Sequence, residues 1–328
     1  MNAIRRILVA VKTPLGKTLP SVTKAAQLAR AFDAELFLFT SIAPPRYLEG
    51  EVSYLSYGLA ELERGTREAC LNTLEVVARR LRRKRLKVSV SAEFDYPVYD
   101  AIIREARRVK ADLIVAEQRH GHLAASLLHL TDWELLRLSP APVLLVKQPR
   151  AYRRPIVLAA VDPNHAYAKP IWLDREILNA GSRIAAALGG RLHAVHAYDP
   201  VPLLAFPNGT ISEDEVERLH QHSAQVAGRK LTRALRDAEV KPARTHLIGR
   251  HPSDAIPEVA SATHSSLVVM GAISRSGFKR LLIGNTAERV LDRLACDVLI
   301  IKPAHLVRQL PERQRPVRAI QRAADQSL

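Results

Sequence analysis

The feature that most constrains this chain is that it says the same thing twice. RRILVAVK (5–12) aligns with RPIVLAAVD (154–162), and AELFLFTSI (34–42) with GRLHAVHAY (190–198). EFDYPVYDAIIREA (93–106) aligns with LIGRHPSDAIPEVA (247–260), which sets Pro97 over Pro252. ADLIVAE (111–117) then matches SSLVVMG (265–271), and APVLLVKQP (141–149) matches CDVLIIKPA (296–304). The offset stays at about 150–156 residues, a period the size of a domain and far longer than that of a solenoid. Within each copy, five short runs rich in Val, Ile and Leu alternate with helical patterns such as SVTKAAQLARAF and REILNAGSRIAAAL. Such runs are typical of parallel strands buried on both faces, and the alternation predicts a doubly wound α/β sheet.

The expected architecture is therefore two tandem, doubly wound, five-stranded parallel-sheet domains. Domain 1 spans residues 1–148 and domain 2 spans 153–304, with a basic, disordered tail at 305–328. The join, KQPRAYRRP (147–155), reads as an exposed linker. The copies are expected to pack face to face about a pseudo-twofold, as a pseudo-dimer within the chain, with the fifth strands (143–147 and 298–302) near the interface. Each copy carries a longer segment after its second strand, 44–65 and 200–212. Helices are predicted to follow at 66–85 and 213–239.

Composition agrees with this reading. A hydrophobic fraction of 47% fills two ordinary cores, and only 5% of residues are aromatic, so aliphatic side chains dominate them. No apolar run approaches the ~18–20 residues of a membrane span. The apolar run after Arg5 and Arg6 is too brief for a signal peptide and gives way to Lys12 and Pro14, so a cytoplasmic protein is expected. Cys70 and Cys296 have neither metal nor redox spacing and read as unpaired thiols. The net charge of +16 is concentrated in ARRLRRKRLKV (78–88) and in the tail around 308–322. Both read first as solvated surface and both suit phosphates, but neither has the interleaved aromatics that stack on single-stranded bases.

In an open α/β sheet, ligands bind beyond the carboxyl ends of strands where the strand order reverses. This directs attention to the loops after the first and fourth strands. In copy 2 the latter reads VVMGAISRSGFKRLLIGNTAERVL (268–291). Gly271, Gly277 and Gly284 permit close backbone approach and positive φ. Asn285 and Thr286 open a helix whose free N–H groups favour an anion. Ser274, Arg275, Ser276 and Lys279 add donors and charge. Asp162, after the first strand, is an acceptor suited to a ribose hydroxyl.

These residues resemble the nucleotide loop of ATP-binding universal stress proteins, which follows Gly-x2-Gly-x9-Gly-(Ser/Thr). Gly271 and Gly284 match its first and third glycines. Ser274 replaces the second, and Asn285, followed by Thr286, stands where Ser or Thr is usual. IGNTAERVLDRLACDVLIIKP and LTDWELLRLSPAPVLLVK give the chain, over residues 4–304, its likeness to the tandem-domain, E-type branch of that family. The resemblance implies a universal-stress-protein-like, adenine nucleotide α-hydrolase-like fold. It places an acidic residue at Asp162 and a base-contacting backbone group at Ala197. It further implies ATP, with Mg²⁺ if bound, as the ligand.

Copy 1 departs from the pattern. Lys12 replaces Asp162, Glu117 replaces Gly271, and Gly121 is the lone glycine of its loop, so that site reads as degenerate for nucleotides. His120, His122, His129 and Glu117 hold metal-ligating atoms at irregular spacing, and no metal site is assigned. Ser274 and Ser276 have no His/Asp partner in view, so no catalytic residues are assigned. The expected function is regulatory binding in the stress response rather than turnover, with an unidentified regulatory protein partner and a homodimer as an open assembly. The alternatives are a nucleotide hydrolase and a basic nucleic-acid-associated protein, although no base-reading motif is present.

Overall fold

A computed structural model describes residues 3–12, 14, 19–43, 56–118, 133–164, 171–198, 200, 212–271 and 284–302. The first copy runs β1 (Arg6–Ala10), α1 (Pro20–Phe32), β2 (Glu35–Ile42), α2 (Ser56–Arg82), β3 (Val88–Phe94), α3 (Val98–Arg108), β4 (Leu113–Glu117), α4 (133–138) and β5 (Val143–Val146). The second repeats it as β6 (Ile156–Ala160), α5 (Ile171–Ala187), β7 (Arg191–Ala197), α6 (Glu213–Asp237), β8 (Arg244–Ile248), α7 (Pro252–Ala262), β9 (Leu267–Gly271), α8 (Asn285–Arg293) and β10 (Asp297–Ile301). The α2 helix starts earlier than expected and runs through Gly65, which costs about 1 kcal/mol relative to Ala without ending the helix. The tail lies outside the described residues.

Strands pair in the order β3-β2-β1-β4-β5 in one copy and β10-β9-β6-β7-β8 in the other. Alternation along each strand sends side chains to two apolar layers. Ile7 and Val9, with Val157 and Ala159, join the layer under α1, α2, α5 and α6. Leu8 and Ala10, with Leu158 and Ala160, join the layer under α3, α4, α7 and α8. Helices thus cover both faces, as a doubly wound fold requires. Trp172 and Trp133 pack at the margins of these layers.

The expected face-to-face packing of two sheets is not what forms. The copies share a single ten-stranded sheet, in which β5 and β10 pair antiparallel with Val298 opposite Leu145 and Ile300 opposite Val143. The reason is what each domain leaves uncovered. Both faces already carry helices, whereas the β5 and β10 edges are fully buried apolar strands with a row of backbone groups to satisfy. Two like edges meeting about a twofold run antiparallel.

Across that joint the halves trade lysines. Lys147, at the end of β5, donates from Nζ to the carbonyls of Leu291 (2.5 Å) and Leu294 (2.8 Å) at the C-terminal end of α8. Its repeat counterpart Lys302 donates to Ser139 (2.6 Å) and Arg137 (3.3 Å) at the end of α4. Each lysine caps carbonyls that a helix end leaves unpaired, and each does so in the other copy. Burial pushes the Lys302 pKa down to about 7.

A second contact has no symmetry mate. Asp297 is fully buried. Its Oδ2 accepts from Lys24 of α1 and from the Tyr152 hydroxyl (2.6 Å), and its Oδ1 accepts from the backbone N–H groups of Lys147 (2.9 Å) and Gln148 (3.0 Å). Burial, then the charge of Asp297, pushes the Tyr152 pKa well above 10. The linker is anchored at Tyr152, while residues 148–151, 153 and 154 are exposed as expected. Tyr152 is buried, and its backbone exchanges two 2.9 Å hydrogen bonds with the Gln27 amide. Replacing Lys24 by Met should cost about 3–5 kcal/mol, because Asp297 would keep its burial and lose its counter-charge. Urea unfolding reads this directly, and a change under about 1 kcal/mol would show that the pair does not stabilise the joint.

At the far edge, His193 on β7 and His246 on β8 approach to 3.3 Å between ring nitrogens. Burial first, and then for His193 the neighbouring His246, Arg244 and Arg191, hold both imidazoles below the usual 6.5. The unfolded chain therefore takes up protons at a pH where the folded pair still resists them. Stability should fall as pH drops through about 6.5 toward 5, and His246→Gln should flatten that slope. Unfolding midpoints measured across this range would reject the reading if the variant kept the wild-type slope.

Candidate functional site

In copy 2 the strand order reverses between β6 and β9, which lie side by side with Val157 opposite Leu267 and Ala159 opposite Val269. One connection leads outward to β7 and β8, the other toward β10, which is the topology at whose strand ends doubly wound folds receive ligands. Asp162 follows β6, Gly271 ends β9, Ala197 ends the neighbouring β7, and α8 begins at Asn285. Ser274 and Arg275, like Ser276, Gly277 and Lys279, lie outside the described residues.

The peptide group joining Val161 to Asp162 is held from both ends by buried side chains. Its carbonyl lies 3.2 Å from Nδ1 of His196, a contact that places the proton on Nδ1. Its N–H donates to Oδ1 of Asp174 at 3.0 Å. His196 and Asp174 are both buried. Two polar groups in the core are thereby spent on the orientation of one peptide plane, and that plane aims Asp162. Sequence reasoning missed both residues. The available signals were an acid in the first turn of α5 and a histidine among the apolar residues of β7. Copy 1 repeats half of the arrangement, with the Thr40 hydroxyl donating to the Val11 carbonyl at 2.8 Å.

The glycines have different roles. A Cβ on Gly271 would stand 2.7 Å from Cδ2 of the fully buried Leu173 and 3.5 Å from Cδ1 of Ile177. A larger residue there would force the Leu173 side chain to shift, so the packing of α5 on β9 favours glycine. Gly284 is the N-cap of α8 in extended backbone (φ −69°, ψ 144°) and not in a positive-φ conformation. Asn285 is consequently the first helical residue rather than the cap, Thr286 follows it, and the N-cap glycine brings no side chain of its own to cap the helix. The first N–H groups of α8 thus receive no side-chain acceptor from the cap residue, and unpaired N–H groups at a helix start favour an anion.

At the equivalent place in copy 1, Lys12 follows β1 and Glu117 ends β4, on adjacent strands. The three histidines of its loop lie outside the described residues. Among the described residues no group of three or more His, Cys, Asp and Glu is arranged to hold a metal. A groove of about 1030 Å³ lies elsewhere, by the amino ends of β9 and β10, lined by Arg150, Tyr152, Arg153, His264, Arg293 and Cys296. Burial, reinforced by Asp297, pushes the Cys296 thiol up to about 11.

The sequence model described as the Universal stress protein family matches residues 3–147 and again 157–302. The chain belongs to that family. It is 31% identical over 211 residues to the Universal stress protein E homolog of Haemophilus influenzae, covering 62% of this chain and 66% of that protein. It is also 31% identical over 215 residues to Universal stress protein E of Escherichia coli K12, covering 62% and 65%. The chain thus spans just under two thirds of the length of these curated relatives. Among solved structures, a putative universal stress protein from Pseudomonas aeruginosa UCBPP-PA14 is similar over 94% of this chain and 96% of its own, with TM-score 0.69 and 26% identity. A protein of Pseudomonas aeruginosa PAO1 described as functionally unknown shares the fold over the same proportions, with TM-score 0.70 and 24% identity. In this universal stress protein, Gly271→Ala should cost about 1–3 kcal/mol through overpacking. Leu173→Ala in the same chain should cost less than its effect alone, and additive losses in urea unfolding would show that the two sites do not meet.

Proposed function

We propose that domain 2 (153–304) binds an adenine nucleotide such as ATP, with Mg²⁺, and that the chain acts in the cytoplasmic stress response by regulatory binding rather than turnover. Membership of the universal stress protein family supports the stress-response role. The observation that carries the nucleotide reading is the conjunction at the strand-order reversal. Asp162 sits on a peptide held by His196 and Asp174, and α8, whose N-cap is a glycine, begins at the same carboxyl end of the sheet. Asp162 supplies an acceptor for a ribose hydroxyl, and the Ala197 backbone faces the base. Gly284, Asn285 and Thr286 offer backbone donors to phosphate, aided by Ser274 and Arg275, while Gly271 keeps α5 close to β9. Mg²⁺ would neutralise charge between phosphates. Domain 1 (1–148) serves as the pseudo-symmetric partner, because Lys12 and Glu117 reverse the charges that suit a nucleotide. No helix among the described residues is long and apolar enough to cross a membrane.

Calorimetry with ATP and Mg²⁺ tests this. Wild type should bind, Gly284→Val should abolish binding by blocking approach to the helix start, and Asp162→Ala should weaken it by about 1–2 kcal/mol, the scale of one polar contact. Absence of heat with the wild type, or binding indifferent to both substitutions, would overturn the assignment.

A further inference from the structure

The groove at the amino ends of β9 and β10 encloses about 1030 Å³, at the upper end of the usual range for small-molecule sites. It lies at the opposite end of the copy 2 strands from Asp162. Its lining comes from two sources. The linker supplies Arg150 and Arg153. Copy 2 supplies Ser261 on α7, His264 in the turn after it, and Arg293 at the end of α8. These five residues are exposed. Among the described residues no aspartate or glutamate lines the groove. Two nearby positive charges are already paired, Lys24 with Asp297 and Arg293 with Asp254. Arg150 and Arg153 make no ion pair among the described residues, so the groove carries uncompensated positive charge.

The repeat shows how the acid was removed. The N–H of Asp112 donates to the Arg6 carbonyl and the N–H of Ser266 to the Ile156 carbonyl, both at 2.9 Å, so Asp112 and Ser266 are structural equivalents. In copy 1 the Asp112 carboxylate accepts from the backbone N–H groups of Arg5 and Arg6, each at 2.9 Å. In copy 2 the place of Arg5 is taken by Pro155, which has no N–H to offer. The acid there has become Ser266, whose side of the chain lines the groove. A carboxylate is thereby replaced by a neutral hydroxyl where the linker arginines gather.

We propose that this groove binds a small condensed phosphate, of the size of pyrophosphate or tripolyphosphate, held between the linker and copy 2. Guanidinium groups match phosphoryl oxygens in pairs, and a phosphoryl group presents more acceptor oxygens than a carboxylate to donors arriving from both sides. The hydroxyls of Ser261 and Ser266 add neutral donors to the same lining. A nucleoside is not part of the ligand. Tyr152 supplies the one phenol ring of the lining, but it is buried, with the Lys24 ammonium 4.8 Å from its centroid, and so offers no open face to a base. The site is independent of the nucleotide reading, since it uses the amino ends of the strands and not the carboxyl ends.

Isothermal titration of the full chain with sodium tripolyphosphate, in a buffer free of other phosphate, tests this. Wild type should bind at one site. Arg150→Ser/Arg153→Ser should weaken binding at least about tenfold, through the loss of charge-assisted hydrogen bonds to phosphate. Ser261→Trp keeps every charge and fills the groove, and it should weaken binding as much. Arg79→Ser/Arg83→Ser removes two exposed charges from α2 instead and should bind as wild type. All the substituted residues are exposed, and urea unfolding checks that each variant is folded. Excess ATP should not displace tripolyphosphate. The proposal is overturned if wild type shows no binding, if the α2 variant loses as much affinity as the linker variant, or if Ser261→Trp binds as wild type. It is equally overturned if ATP displaces the tripolyphosphate, or if citrate or a hexaglutamate peptide binds more tightly.

Discussion

A carboxylate with no access to water is tolerated only when donors meet both of its oxygens, and Asp297 is such a group. Its donors come from α1 of the first copy, the end of β5 and the linker, while the acid itself opens β10 of the second. To satisfy this one side chain the chain must bring together segments more than a hundred residues apart. That requirement sets the position of the linker and aligns β5 with β10, and it brings Lys147 and Lys302 within reach of the opposite helix ends. Such a buried pair need not be more stabilising than an apolar core of the same shape. Its consequence is that few other arrangements of the two copies leave the acid paired.

The joint also sets the relative direction of the two copies. Because β5 and β10 are antiparallel, the carboxyl ends of the strands point in opposite directions in the two copies. The strand ends at Asp162 and at Lys12 and Glu117 therefore lie at opposite ends of the sheet. The twofold relates the helix layers without exchanging the sheet faces, so α2 and α6 cover the same apolar layer at opposite edges of the sheet.

Much of this is legible in the sequence for identifiable reasons. Strands such as ILVAV and VLLV are short, apolar and regularly spaced, so the doubly wound pattern can be read twice and each reading checks the other. Asp162 and the Gly271–Gly284 segment stand out because strand-end loops are where such folds bind ligands. His196 and Asp174 do not, since a histidine and an aspartate that orient a peptide leave no spacing signature; their partner is backbone. Gly271 reads in the sequence as room for phosphate, yet its missing Cβ makes room for Leu173, a neighbour from a helix about a hundred residues earlier in the chain. The segment between Pro44 and Gly65 reads as loop partly because glycine is a poor helix former, and α2 runs through Gly65 because Leu74 and Ala78 further along have a core to join.

The sequence by itself determined the repeat, the fold class of each copy, the strands and most helices, and the loops at which a ligand would be received, because all of these follow from local apolar periodicity and turn chemistry. What only the tertiary structure decided was how the copies meet: edge to edge in one sheet rather than face to face. An edge of unpaired backbone groups carries no mark in the order of side chains, and a buried acid declares its partners only after the chain has brought them around it.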